Sequence, residues 1–461
     1  MGKVTLKYRI LMLLCRVYYL LYYLKIHLTR RQITSFILKI VGHRELIPYL
    51  EWGWNRFIWK DDSAFVLFNA YKKLYLSFFF KMTDWKLLKR SSIYEIGILT
   101  YHRAENYGAL LQAYGLKIYL SSLGHDVSFV DYWPEYHQKY HKILRMDKIL
   151  YGSLKEKLVS IYNVLFWGMF RYRRRRNLQR FMHEHLGLTQ NPLYSKDNDI
   201  VKGYDCVVYG SDQIWRKQSQ ISDIGFNSWY FGSDNIITPV KIAYAASMGQ
   251  ILCSEDDNSY LIKYLGGFSH LSVREQDLKE KLNTLGFHPE LVCDPVFLLP
   301  KEEWRKIFSP QEYKEKYILV YNLLENKETV VLAEKIHQQT GLPIKEINIR
   351  FGIRHLGKRY IRIAKVDDFL SLIDNAEYVV SNSFHGVAFS LIFEKNFFAI
   401  GMEEKSSRVI SLLNIAGLDD RYLSSVDKLN LNRSINFQLI RKKMDPFIQK
   451  SKDYLLSSLK L

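Results

Sequence analysis

Cysteine is scarce in this chain of 461 residues: Cys15, Cys206, Cys253 and Cys293 are all it has, and no two lie close together. That spacing argues against a disulfide framework, a zinc knuckle and a c-type haem attachment, and it suits a reducing compartment. Uninterrupted apolar runs are also lacking. The run from Ile10 to Leu24 is broken by Arg16 and closed by Lys25, whereas a bilayer span needs about 20 apolar residues in succession. No small-residue cleavage site follows that run, so a signal peptide is not expected. The Gly-x-Ser-x-Gly elbow of a serine hydrolase is missing, and His183-Glu-His185 lacks the spacing of a zinc helix. Neither hydrolase chemistry nor a metal centre is therefore expected.

What is present is a foldable chain with an uneven charge. Hydrophobic residues make up 48% and charged residues 25%, enough to bury a core and to exclude disorder as the main description. The net charge of +19 is concentrated in two segments. Residues 1–90 hold 17 Lys/Arg against 5 Asp/Glu, and residues 141–180 hold 11 against 2, which leaves the remainder nearly neutral. The first segment adds aromatic patches at Trp52–Lys60 and Tyr71–Lys81. These suit helices lying in an anionic membrane interface, or equally core-packed helices with a solvated basic face. The second segment ends in Arg171-Tyr-Arg173-Arg-Arg-Arg176 within a helix-like stretch from Ser153 to His185. A solvated helix face or a contact with anionic lipid or glycan fits it. Nucleic acid does not, because nothing else here resembles a nucleic-acid module.

From Tyr94 onward short apolar runs alternate with helical patterns. Strands are expected at Tyr94–Thr100, Val127–Asp131, Tyr204–Tyr209, Pro239–Ala245, His270–Val273 and Glu290–Cys293, and Leu123-Gly124-His125 closes the first helix. A second set runs through Tyr317–Tyr321, Ile344–Ile349, Glu377–Ser381 and a last strand at Phe397–Gly401. The expected architecture is α/β: two doubly wound domains facing a cleft, residues 93–305 and 306–428. A helical extension over residues 1–92, a basic helical insertion near 140–190 and C-terminal helices over 429–461 complete it.

Ligands of such folds bind outside the carboxyl ends of strands, which directs attention to four loops. Asn106 and Gly108 stand between a strand and a helix start, where anions are favoured and glycine admits a close ligand; a plain turn capped by Asn106 is the alternative. Ser211 and Asp212 lie in Gly210-Ser-Asp-Gln-Ile-Trp215, a pocket floor or else a helix cap. Arg274 can grip a phosphate or carboxylate with its planar fork, or simply pair with Glu275. Ser383, His385 and Gly386 put an imidazole at a positive helix end, where it can donate to phosphate or act as a general acid with a pKa near working pH; a satisfied cap histidine is the alternative.

Taken in order, these pieces resemble the polysaccharide pyruvyl transferase family. The resemblance runs from Ile96 to about Tyr422 and rests on Ile96–Thr100 with Asn106-Tyr-Gly108-Ala-Leu-Leu-Gln112, then Leu123-Gly-His125 and Val130-Asp-Tyr132. It continues through Gly210–Trp215, Tyr244-Ala-Ala-Ser247, Ser272-Val-Arg274-Glu275, Asp294-Pro-Val296, Ser383-Phe-His385-Gly386, Ser390-Leu391 and Ser407-Arg408. It implies two Rossmann-like domains arranged as in B-type glycosyltransferases, and no cofactor. It also implies transfer of a pyruvyl group from phosphoenolpyruvate to sugar hydroxyls, usually as a cyclic ketal. Acceptors in such pathways are often lipid-linked oligosaccharides, so the expected location is cytoplasmic, with residues 1–90 as a contact to the inner face of the membrane. Carried over by motif, Arg274 holds the donor and His385 binds its phosphate and serves as general acid. The attacking sugar hydroxyl also needs a base, for which Asp212 is the candidate. The chain departs from the family at Ser383, where better-studied members have an arginine, and Arg408 is the cation that would replace it. Two rival readings stay open. One is a nucleotide-sugar glycosyltransferase gripping a ribose with Glu403 or Glu404; the other is a non-catalytic binder of anionic glycans or lipids.

Overall fold

Each expected apolar run coincides with a strand whose ends lie within two residues of those expected. Glu95–Leu99 (β1), Asp126–Phe129 (β2), Cys206–Tyr209 (β3), Val240–Ala246 (β4), His270–Val273 (β5) and Glu290–Leu291 (β6) form one sheet in the order β2-β1-β3-β4-β5-β6. Ile318–Tyr321 (β7), Ile344–Ile347 (β8), Tyr360–Ile361 (β9), Tyr378–Ser381 (β10), Asn396–Ile400 (β11) and Tyr422–Leu423 (β12) form another in the order β12-β11-β10-β7-β8-β9. All neighbours are parallel. The centre of each sheet is covered on both faces, as the unbroken apolar runs of β3 and β7 require. This computed structural model describes residues 93–140, 146–196, 198–218, 225–308, 315–323, 326–347, 355, 357–401 and 406–460. The basic aromatic extension over 1–92 and the carboxylates Glu403 and Glu404 lie outside the described residues.

The two doubly wound α/β halves expected from the alternation are present. Phe397–Gly401 is not the last strand, however, because β12 follows it, and β9 was not expected. Both are two-residue edge strands, too short to leave a period in the sequence. The connection order reverses between β1 and β3 in the first sheet and between β7 and β10 in the second. Those reversals open the crevices where ligands of such sheets bind.

The helices around these crevices include α1 (Tyr107–Ser122), α2 (Leu154–Phe181), α3 (Lys327–Thr340), α4 (Val366–Asn375), α5 (Phe384–Ile392), α6 (Ser407–Ala416) and α7 (Phe437–Ser458). Asn106 caps α1 by accepting from the Gly108 and Ala109 amides, and Gly124, at φ 97°, follows its end. The helix α2 starts with a capping box between Ser153 and Glu156. It is braced near its far end, where Arg174 donates to the Glu105 carbonyl at 2.9 Å and Asn177 to the Ile363 carbonyl at 3.1 Å.

The halves pack directly on one another. The Tyr107 ring stacks on Phe369 of α4 at 5.0 Å and 9°, and its hydroxyl donates to the Ala364 carbonyl at 2.8 Å. Ser407 of α6 donates to the Gly249 carbonyl at 3.2 Å. The helix α7 returns to the first half, where Ser451 accepts from the Cys293 amide at 2.8 Å and Tyr454 donates to the Ala243 carbonyl at 3.0 Å.

Candidate functional site

Both crevices open toward the same place. The loop after β1 and the start of α1 meet the start of α5 so closely that a Cβ on Gly108 would collide with the His385 imidazole. The space at Gly108 that the sequence offered to a ligand is therefore filled by His385. Gly386 is needed for the matching reason on the other side, since its Cβ would strike the Ser381 hydroxyl at the end of β10. The side-chain oxygen of Asn106 caps its own helix, the structural alternative for this residue.

The centre of the site is Arg274, at the end of β5 and almost wholly buried. Its guanidinium pairs with Asp294, donates to the Ser211 hydroxyl at 3.0 Å and to Glu275 at 3.2 Å, and lies 3.5 Å from Asp212. Ser211 in turn donates to Asp294 at 2.9 Å. Pairing with Glu275, the structural alternative, is thus real, but it is one of three carboxylate contacts. Burial opposes the charge on Arg274, and Asp294, Glu275 and Asp212 outweigh it, holding the group firmly protonated. Burial pushes the Glu275 carboxyl up, against Arg274 and a 2.5 Å hydrogen bond from Ser247.

Asp212 begins no helix among the described residues, so it is not the cap that local propensity favoured. It sits at φ 72° in a turn, accepts from the Gln213 amide at 2.8 Å, and keeps 15% of its side chain exposed. Burial raises its pKa, but Arg274, His385 and Arg408 prevail and lower it. The turn is positioned from β1 and α1, since Thr100 donates to the Ser211 carbonyl at 2.8 Å and Gln112 accepts from the Ser211 amide at 3.2 Å.

His385 is buried, with Nε2 3.8 Å from Asp294 and without a hydrogen-bond partner. Its pKa is lowered to about 4, chiefly by desolvation. The expectation of a value near working pH therefore fails in this arrangement, because burial and the nearby arginines outweigh Asp294. Ser383 is buried at the start of α5, and its side chain makes no capping bond. Arg408, in the first turn of α6, has no hydrogen bond or ion pair with a described residue. Desolvation and the repulsion of Arg274 lower its pKa to about 10. With Arg274, Asp294 and Phe384 it lines a cavity of about 10 Å³, room for a single water at most.

Asp294 and Glu275 are members of this cluster that the sequence did not mark as site residues; it marked Glu275 as an ion-pair partner of Arg274. Asp294 appeared only as part of Asp294-Pro295, and the structure shows why: one oxygen caps the short turn at Pro295–Leu298, while the other serves Ser211 and Arg274. A polar residue directly after a strand was the available signal. Among the described residues, no group of three or more His, Cys, Asp or Glu could hold a metal ion.

The sequence matches the profile of a family described as polysaccharide pyruvyl transferase over residues 106–404. No curated protein matches it significantly. Among solved structures it is similar to the glycosyltransferase SnogD from Streptomyces nogalater, at 9% identity and TM-score 0.36 over 80% of this chain and 100% of that one. It is also similar to UDP-GlcNAc 2-epimerases: that of Neisseria meningitidis bound to UDP-GlcNAc, at 9%, 0.36, 79% and 93%, and that of Methanocaldococcus jannaschii, at 12%, 0.35, 77% and 92%. Likenesses this distant say nothing of substrate.

Proposed function

The chain belongs to the polysaccharide pyruvyl transferase family, and from that premise we propose that it moves a pyruvyl group from phosphoenolpyruvate to sugar hydroxyls of a cell-surface polysaccharide or its lipid-linked precursor. The observation that carries this reading is Arg408, unpaired among the described residues and near enough to act on the charge of His385, whose Nε2 is unpartnered. A cation kept half-buried without a carboxylate is costly until an anion arrives. Phosphoenolpyruvate brings a phosphate and a carboxylate, and Arg408 stands in for the arginine that the family has at the position of Ser383. The donor needs more room than the present cavity of about 10 Å³, so its entry moves the walls of this seam apart.

In the proposed reaction the donor's negative charge raises the pKa of His385 and lets it carry a proton. His385 gives that proton to the methylene carbon of the enol, and a sugar hydroxyl attacks the carbon bearing the phosphate. Asp212, ionised and partly exposed, accepts the hydroxyl proton. A second hydroxyl then displaces phosphate, its proton leaving with the phosphate, and a cyclic ketal results. Arg274 holds Asp212, Glu275 and Asp294 in place and faces the donor from one side. A lipid-linked acceptor would put this chemistry at the inner face of the cytoplasmic membrane, with residues 1–90 as a basic contact; no described helix is long and apolar enough to cross a membrane.

The test is thermal stabilisation by phosphoenolpyruvate beside UDP and GDP, since a ligand of the native state adds RT ln(1 + [L]/Kd). A concentration-dependent rise with phosphoenolpyruvate that weakens roughly tenfold or more in Arg408→Ala is expected. Ser383→Arg in that background should restore part of it. A rise with the nucleotides alone would overturn the reading in favour of glycosyl transfer.

A further inference from the structure

A helix on a protein surface normally buries its large apolar residues against the body, and α2 leaves many of its own exposed. Its body-facing side is built from Trp167, Leu178 and Phe181, all buried. On the opposite side Leu154, Leu158, Ile161, Leu165, Met169 and Tyr172 are all exposed, Leu154 by 75% and Leu165 by 74%. Successive members of this set are three or four positions apart, which keeps them on one face over about 27 Å of helix. A contiguous apolar band of that length is not left in water without a partner.

We infer that the outer face of α2 docks on the surface of a bilayer rich in anionic lipid. Charge decides between the possible partners. Residues 141–180 hold 11 Lys/Arg against 2 Asp/Glu, and Lys155, Arg173 and Arg176 are exposed along the helix that carries the band. A second copy of the helix would bring the same positive charge against it. Residues 1–90, with 17 Lys/Arg against 5 Asp/Glu, would do likewise. A surface that is apolar below and anionic above matches both parts of the face, the band entering the acyl boundary while the arginines meet the headgroups. Arg174 and Arg175 take no part, since both are engaged with Glu105. The helix lies on the membrane and does not cross it. This surface is independent of the reaction assigned to the cleft.

The experiment is co-sedimentation of the full chain with vesicles of phosphatidylcholine alone and of equal parts phosphatidylcholine and phosphatidylglycerol. Binding to the anionic vesicles only, weakening with added salt, is the expected result. The triple variant Leu158→Ser/Leu165→Ser/Met169→Ser alters exposed positions, so its circular dichroism should be unchanged while its partition falls by about tenfold or more. Arg173→Gln/Arg176→Gln should lower the partition about fivefold for each cation removed. Equal binding to neutral vesicles, or unchanged partition in both variants, overturns the proposal. So does a wild-type dimer that ignores vesicles and becomes monomeric in the triple variant, which would give the face to a second copy.

Discussion

His385 and Arg274 differ in what binds them, and the difference can be measured. The folded-state pKa of His385 is lowered to about 4, below the usual histidine value of about 6.5. The unfolded chain therefore binds the extra proton between those two values, and stability falls as pH drops through that window. Urea unfolding of the wild type beside His385→Gln should show the wild type losing roughly 2 kcal/mol relative to the variant between pH 7 and pH 5. A difference between the two that is constant with pH would contradict the burial argument. Arg274 compensates three carboxylates, so Arg274→Ala should cost about 3–5 kcal/mol by leaving buried charge unpaired. Arg408 pairs with no described carboxylate, and Arg408→Ala should change stability by less than about 1 kcal/mol while weakening donor binding. Equal losses in denaturant midpoint for the two variants would show that Arg408 has a structural partner after all.

At the scale of elements, the seam between α1 and α5 is set by one missing side chain. Alanine is ordinarily the better helix former by about 1 kcal/mol, yet at Gly108 its methyl would strike the His385 ring. That ring stands one residue inside α5 and cannot swing away like the end of a long side chain. Gly108→Ala should therefore destabilise by about 1–3 kcal/mol and lower kcat more than it raises KM, because it displaces His385. Unfolding midpoints and steady-state kinetics read both effects. In α2 the sequence shows a helix-like stretch, but Val159, Phe166 and Phe170 spread apolar residues around it beside Leu154, Leu158 and Leu165, so the sequence does not say which side stays exposed. Which face meets the body depends on Trp167, Leu178 and the bonds of Arg174 and Asn177 to segments far away in the chain.

From β1 onward the two sheets share one hydrophobic core across the seam, with Tyr107, Trp304, Phe369 and Phe389 among its members, so access to the cleft is tied to how that seam packs. Tyr107 contributes both a stacked ring and a hydroxyl bond across the seam. Tyr107→Phe keeps the stack and leaves the buried Ala364 carbonyl without its donor, a loss of about 1–2 kcal/mol. The expected outcome is a lower melting temperature with faster hydrogen exchange at the start of α1 and around Ala364. An unchanged exchange rate there would mean that α6 and α7 hold the halves together without it.

Read alone, the sequence determined the alternation of strands and helices, the stop at Gly124 and the placing of Ser211, Arg274 and His385 just beyond strand ends, and it offered the cap at Asn106 as one of two readings. Each of these depends on residues within a few positions of one another, where period, capping and turn chemistry act directly. Tertiary structure decided the rest. It brought Asp294 and Ser211, 83 residues apart, onto one another and onto Arg274, and it filled the space above Gly108 with His385. It also moved His385 far from its ordinary pKa, left Arg408 within the field of Asp212, Glu275 and Asp294 but in an ion pair with no described carboxylate, and exposed many of the apolar residues of α2 from Leu154 to Tyr172. Those outcomes follow from desolvation and from which distant segments the topology brings together, and neither is encoded in the spacing of neighbours along the chain.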